Sequence, residues 1–156
     1  MDFFYPNFQN DMWRLMGLIF YNDPARFILP GQKAFDKEKI ITFLNDKGIA
    51  LGDTARRVIR HKDNASDAFL EIVEPIDLEQ ILKTLPGCRI LAATGGKSAE
   101  AVCALTGADL PAVGQCSALP RQMKFYRMPS TSRAYPLLLA QKAQAYRKLF
   151  EAAGIL

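Results

Sequence analysis

The chain has 156 residues, of which 49% are hydrophobic and 23% are charged, and its formal net charge is +4. These values exclude a disordered or fibrous chain and predict a single globular domain over residues 1–156. No apolar run reaches the roughly 18 residues that span a bilayer, and the first residues lack the pattern of a signal peptide. We therefore expect a cytoplasmic protein without a membrane partner. The mild positive charge permits a polyanionic partner but does not require one.

The predicted elements alternate between helices and strands. Capping residues, proline and glycine delimit five helices, at about 11–20, 36–48, 77–85, 98–105 and 136–153. Short apolar runs predict strands at 49–51, 89–94 and 123–127, whereas 22–33 is predicted to be a loop and 56–67 an irregular basic stretch. This alternation predicts a parallel sheet covered by helices.

The cysteines limit the chemistry of the chain. Cys88, Cys103 and Cys116 are widely spaced, and His61 is the only histidine. Because no C-x-x-C pair is present, we expect reduced thiols and no structural zinc or iron–sulfur site. No cofactor is expected.

Residues 128–133, called the Pro-Ser loop below, follow the strand predicted at 123–127. Ligands of open α/β sheets lie at the carboxyl ends of strands, and serine hydroxyls, backbone N–H groups and arginine suit phosphate oxygens. The alternative is a helix-initiating turn, since Pro136 and nearby Ser or Thr residues are common in the first turn of a helix.

A glycine turn at Gly95-Gly96-Lys97 favours a third interpretation, a domain that binds a nucleotide or another small molecule. A phosphate-binding P-loop requires a glycine five residues before Gly96, and Leu91 occupies that position. A tight strand-to-helix turn is the simpler interpretation, although the helix N-terminus could hold one phosphate.

Aromatic residues crowd the N-terminus just before the first predicted helix, at Phe3, Phe4, Tyr5 and Phe8. They are compatible with a hydrophobic staple at the helix start, or with a platform on which a nucleobase stacks. No G-x-S-x-G motif or hydrolytic triad accompanies them.

Four segments, in order along the chain, resemble the uracil-DNA glycosylase superfamily, most closely its deoxyinosine (hypoxanthine) and mismatch-specific uracil branches. They are residues 3–14, 48–53, 93–99 and 128–133. The resemblance implies a three-layer α/β/α fold with a short parallel sheet. The chain begins after the strand and Gly-rich loop with which the family starts, so the first strand and first motif are expected to be missing, through truncation or divergence.

The resemblance also implies an activity, the excision of uracil or hypoxanthine from DNA by base flipping and water attack at C1′. In this scheme Asn10 orients the water, Phe4 or Tyr5 stacks on the base, and Asp53 faces the hydrogen-bonding edge of the base. The DNA backbone is contacted by Lys97, Pro129, Ser130, Thr131, Ser132 and Arg133.

The alternative within the same family is a non-catalytic relative that binds nucleic acid. Met128 stands where many relatives carry His or Asn, and a thioether cannot donate a hydrogen bond to the charge that develops on a leaving base. A basic set could contact DNA in either case or form a solvated loop; it comprises Arg56, Arg57, Arg60, His61 and Lys62.

Overall fold

A computed structural model describes residues 3–60 and 70–156, without the side chains of residues 55–60 and 70–75. The chain divides into two compact units. Unit 1 contains Met1–Gly52 and Pro129–Leu156, and unit 2 contains Asp53–Met128. The single domain expected from the length stays a prediction.

The described residues form five α-helices and five β-strands. In chain order they are α1 (Met12–Tyr21), α2 (Lys37–Lys47), β1 (Ala55–Arg60), β2 (Leu70–Pro75), α3 (Leu78–Lys83), β3 (Ile90–Thr94), α4 (Gly96–Thr106), β4 (Cys116–Ala118), β5 (Lys124–Met128) and α5 (Leu139–Ala152). Within these residues, we find no helix with the length and apolar character needed to cross a membrane.

The five predicted helices are confirmed, and local capping explains where α2 and α3 begin. The Asp36 carboxylate accepts the Lys39 N–H at 3.2 Å to begin α2, and Asp77 accepts the Gln80 N–H at 3.1 Å to begin α3. Gly48 ends α2 in the left-handed conformation, with φ of 69°. The predicted start of α5 was too early, because the helix begins at Leu139.

The expected parallel sheet is confirmed only in part. β3 and β5 pair in parallel as expected, but β4 pairs antiparallel to β5 in a three-stranded mixed sheet of order β3-β5-β4. The connection from β4 to β5 is too short for the crossover that parallel pairing needs. β1 and β2 form a separate antiparallel pair. The fold is therefore a mixed arrangement of helices and strands.

Two further predictions need correction. Residues 49–51 are not a strand, because the Ile49 N–H closes the end of α2 by donating to the Leu44 carbonyl at 3.0 Å. Residues 56–60, expected to be irregular, belong to β1, and the β-branched pair Val58-Ile59 favours this. The remainder of that stretch, 61–67, lies outside the described residues.

The core of unit 1 is built mainly from aromatic and other large side chains. Phe20 of α1 contacts both Phe43 of α2 and Phe150 of α5, with ring centroids 5.0 Å apart in each case. Trp13 is 1% exposed and contacts Phe27 edge-to-face. These contacts join α1, α2 and α5, and each such aromatic pair adds about 0.5–1.5 kcal/mol beyond the area it buries.

Among the described side chains of unit 2, which exclude those of β1 and β2, one buried cluster is built mainly from smaller residues. Ala93 of β3, Ala99 and Val102 of α4 and Phe125 of β5 are buried together, so α4 covers the parallel β3–β5 pair. Gly95 begins α4, and its N–H donates to the Met128 carbonyl at 3.0 Å. The glycine turn and the end of β5 therefore lie at the same end of the sheet.

Candidate nucleic-acid interface

The start of α1 and the Pro-Ser loop lie side by side in unit 1. Asn10 forms an antiparallel bridge with Ser132, and the Asp11 N–H donates to the Thr131 carbonyl at 2.8 Å. These segments are more than one hundred residues apart in the chain. The resemblance gives both segments roles in DNA binding and base release, and the structure brings these two segments together.

Asn10 and Asp11 also shape the first turn of α1. The Asn10 Oδ1 accepts the Met12 N–H at 2.9 Å, which satisfies one of the unpaired donors at a helix N-terminus. Asp11 is the N-cap residue, but its side chain makes no capping bond. The Asp11 carboxylate is therefore available to other partners.

Two cations bind that carboxylate. Arg133 Nε lies 3.3 Å from one oxygen of Asp11, and Lys142 Nζ lies 3.2 Å from the other. Lys142 Nζ also donates to the Ser132 carbonyl at 2.8 Å, and Arg133 Nη1 donates to the Gln9 side chain at 3.0 Å. Residues of the loop, α1 and α5 thus meet in one polar cluster.

The Pro-Ser loop is held by its own side chains and by α5. Ser130 Oγ accepts the Ser132 N–H and Ser132 Oγ accepts the Ala134 N–H, both at 3.2 Å, as in Ser/Thr turns. The Tyr146 hydroxyl donates to the Pro129 carbonyl at 2.7 Å. Burial raises the pKa of the Tyr146 phenol well above its usual range, and the nearby Tyr5 adds to this rise.

The loop residues predicted to contact DNA differ in exposure. Pro129 and Thr131 are buried, Ser130 is half-buried, and Ser132 and Arg133 are exposed. The side chains of Ser132 and Arg133 are therefore the ones that a ligand reaches first. The role of Pro129 and Thr131 in binding stays a prediction, and the Asp11 N–H is held by the Thr131 backbone.

The N-terminal aromatics are fixed by Trp13. Its indole N–H donates to the carbonyls of Phe4 and Tyr5, at 3.1 Å in both cases. Tyr5 has a positive φ of 53°, an uncommon conformation for a bulky residue, and its ring meets Trp13 edge-to-face. Tyr5 is half-buried, whereas Phe4 is 37% exposed. Phe4 thus offers more surface for stacking than Tyr5.

Arg14 binds the backbone between Phe8 and Asn10. Its guanidinium lies 4.3 Å from the centre of the Phe8 ring and donates to the carbonyls of Phe8 and Asn10. Burial lowers the pKa of Arg14, and the positive charge of Arg133 lowers it further, while Asp11 raises it. Arg14 therefore fixes the backbone on which Asn10 is carried.

The remaining predicted site residues belong to unit 2. Asp53 and Lys97 are both exposed, and Lys97 lies in the first turn of α4. In the basic set, Arg56, Arg57 and Arg60 lie in β1, and His61 and Lys62 lie outside the described residues. The roles of all these residues stay predictions.

Sequence reasoning missed two residues of α5, Lys142 and Tyr146. They lie one helical turn apart on the buried face of α5, which also carries Leu149. A lysine at that spacing among apolar residues is a signal for a buried ion pair.

An open cleft of about 270 Å³ in unit 1 is lined by residues of both charges, including Arg26, Lys39 and Asp46. Over residues 3–60 and 70–156, no group of three or more His, Cys, Asp or Glu residues could hold a metal ion.

No family model, curated protein or solved structure matches this chain.

Proposed function

We propose that this chain is a DNA glycosylase of the uracil-DNA glycosylase type, which removes uracil or hypoxanthine from DNA. The observation that carries the proposal is the bridge between Asn10 and Ser132. The resemblance assigns base recognition and water positioning to the segment that contains Asn10, and DNA contact to the loop that contains Ser132. The bridge joins this segment to this loop.

In this proposal the target nucleotide leaves the DNA stack and its base lies against the N-terminal aromatics. The exposed Phe4 ring, with Tyr5 beside it, supplies the stacking surface, and base–aromatic stacking contributes about 1–3 kcal/mol per base. The Trp13 indole N–H holds the backbone carbonyls of Phe4 and Tyr5. Because this segment is already ordered, DNA binding costs less conformational entropy.

The chemical step replaces the glycosidic C1′–N bond with a C1′–O bond to water. The bonding electrons leave with the base, and the water proton passes to solvent. The Asn10 oxygen has two lone pairs, of which one accepts the Met12 N–H. The other orients the water, since an amide is too weak a base to deprotonate it. Asn10 acts by positioning, which contributes mainly in the transition state.

DNA backbone contact in the proposal comes from the exposed part of the loop. Arg133 supplies a guanidinium that matches phosphate oxygens, and its side chain is 48% exposed. The resemblance also assigns DNA contact to Lys97 and base recognition to Asp53; both residues belong to unit 2, and their roles stay predictions.

A non-catalytic DNA-binding relative is the second candidate, and two observations favour it. The Asn10 oxygen already accepts the Met12 N–H in the first turn of α1, and Met128 is buried and carries no donor for the charge on a leaving base. In this case the Pro-Ser loop contacts the DNA backbone, but the protein releases no base.

Single-turnover release of uracil and hypoxanthine from single- and double-stranded oligonucleotides distinguishes the candidates. We expect release by the wild-type chain, and Asn10→Ala to reduce release far more than DNA affinity. Salt-dependent DNA binding without release would support the second candidate. Absence of binding at low salt, or affinity that does not change with salt, would contradict both, because each phosphate contact should contribute about 0.9 to the logarithmic salt slope.

A further inference from the structure

Lys142 is a fully buried lysine near the Pro-Ser loop, whose residues Ser132 and Arg133 are exposed. It lies in α5 with 0% of its surface exposed. Its Nζ binds the Asp11 carboxylate and the Ser132 carbonyl, at 3.2 and 2.8 Å. Lysine is almost never fully buried unless it is paired, so its position beside the loop needs a reason.

The two cations that bind Asp11 differ in exposure. The side chain of Lys142 is 1% exposed and that of Arg133 is 48% exposed. Asp11 also sits at the N-terminus of α1, where the helix dipole favours a negative charge. Asp11 is therefore neutralised even when Arg133 moves away, and the cluster of two cations and one carboxylate retains one excess positive charge.

We infer that Lys142 is a positioning residue, which neutralises Asp11 and so leaves the Arg133 guanidinium able to pair with a phosphodiester of bound DNA. The inference rests on the proposed function. Without Lys142, Arg133 would hold the remaining direct ion pair to Asp11 among the described residues, with Arg14 as a further nearby positive charge. The remaining partner of Arg133, Gln9, is neutral and exposed, so it competes weakly with a phosphate.

A purely structural lysine would behave differently. Lys142 also binds the Ser132 carbonyl, so its loss could weaken DNA binding simply by loosening the loop. Removal of the Asp11 charge separates the two roles. Asp11→Asn in a Lys142→Met background frees Arg133, yet it restores no support to the loop.

The test measures the affinity of a labelled uracil-containing duplex as a function of salt. We expect Arg133→Ala to lower affinity about tenfold and the salt slope by about 0.9, as for loss of one phosphate contact. Lys142→Met should lose the same affinity as Arg133→Ala and show the same reduced salt slope. The double variant Asp11→Asn/Lys142→Met should return to wild-type affinity and slope. Lys148→Met, an exposed lysine of the same helix, is the control for the removal of one positive charge.

Each contrary outcome has a distinct meaning. A wild-type chain that binds no DNA overturns the proposed function and the inference with it. Wild-type binding that Arg133→Ala leaves unchanged overturns the inference alone, as does a double variant as weak as Lys142→Met. If Lys142→Met does not fold, Arg133→Ala is made in the double variant, where it should still cost about tenfold. No loss there would overturn the inference.

Discussion

Among the side chains that the structure describes, unit 1 and unit 2 differ in the size of the residues that they bury. Unit 1 packs Trp13, Phe27, Phe43 and Phe150 with the buried Tyr146, whereas the buried cluster of unit 2 joins two alanines and a valine to a single aromatic, Phe125. The start of α1 and the Pro-Ser loop belong to the aromatic unit. A functional site needs support from well-packed neighbours, and the aromatic core of unit 1 supplies that support to these two segments.

The largest effect should come from the core of unit 1. Trp13→Ala removes a buried indole and its two hydrogen bonds, so we expect the free energy of unfolding to fall by about 3–5 kcal/mol. Val102→Ala in unit 2 should cost about 2 kcal/mol, because it deletes less volume. Chemical denaturation of both variants measures the difference, and equal losses would contradict the contrast between the two cores.

A glycine pair extends the comparison to the backbone. A Cβ at Gly17 of α1 would collide with the Asp23 carbonyl, whereas a Cβ at Gly87 of unit 2 would meet nothing within 4 Å. Gly17→Ala should therefore destabilise by about 1–3 kcal/mol, as overpacking does, and Gly87→Ala should change stability by less than about 1 kcal/mol. Thermal unfolding of the two variants checks this, and a neutral Gly17→Ala would show that unit 1 is less tightly packed than we describe.

Tyr146 gives unit 1 a pH dependence. Burial raises the pKa of its phenol in the folded state, so folding favours the neutral form. The corresponding stability is present below the unfolded pKa of about 10 and is lost as the pH rises above it toward the folded value. Tyr146→Phe should cost about 1–2 kcal/mol at neutral pH, from the lost bond to Pro129. It should also reduce the fall in stability above pH 10. An unchanged alkaline profile in denaturation experiments would contradict this role.

The smallest expected effect concerns Asn10. Asn10→Ala removes the acceptor for the Met12 N–H and should cost about 1 kcal/mol. Asn10→Asp keeps an acceptor at the same place and should restore most of that stability. Denaturation midpoints of the two variants provide the measurement. Equal losses in the two variants would mean that the hydrogen bond from the Met12 N–H to Asn10 does not stabilise the protein.

The helices could be predicted because their signals are local. Asp36, Asp77 and Gly48 each act on residues within one helical turn. The helix ends that they form can therefore be predicted from neighbouring residues in the sequence. Strand pairing is not local. Nothing in the periodicity of Cys116–Ala118 indicates that it pairs antiparallel to β5, and the apolar run after Gly48 resembles a strand although it ends a helix.

The candidate site could be predicted only in part, for the same reason. The resemblance placed Asn10 with the Pro-Ser loop, and the structure brings these segments together. Lys142 was missed, because its role depends on Asp11, more than one hundred residues away. Its place among apolar residues of α5 was the only available signal.

The central claim, that the start of α1 and the Pro-Ser loop form one DNA-contacting surface, is tested most directly by amide hydrogen exchange with and without a uracil-containing duplex. We expect binding to slow exchange in both residues 3–14 and residues 129–135, which the Asn10–Ser132 bridge joins. The amides of α2, in the same unit, should be unaffected and serve as the internal control. Slowed exchange in only one of the two segments, or in neither while DNA is bound, would contradict the claim.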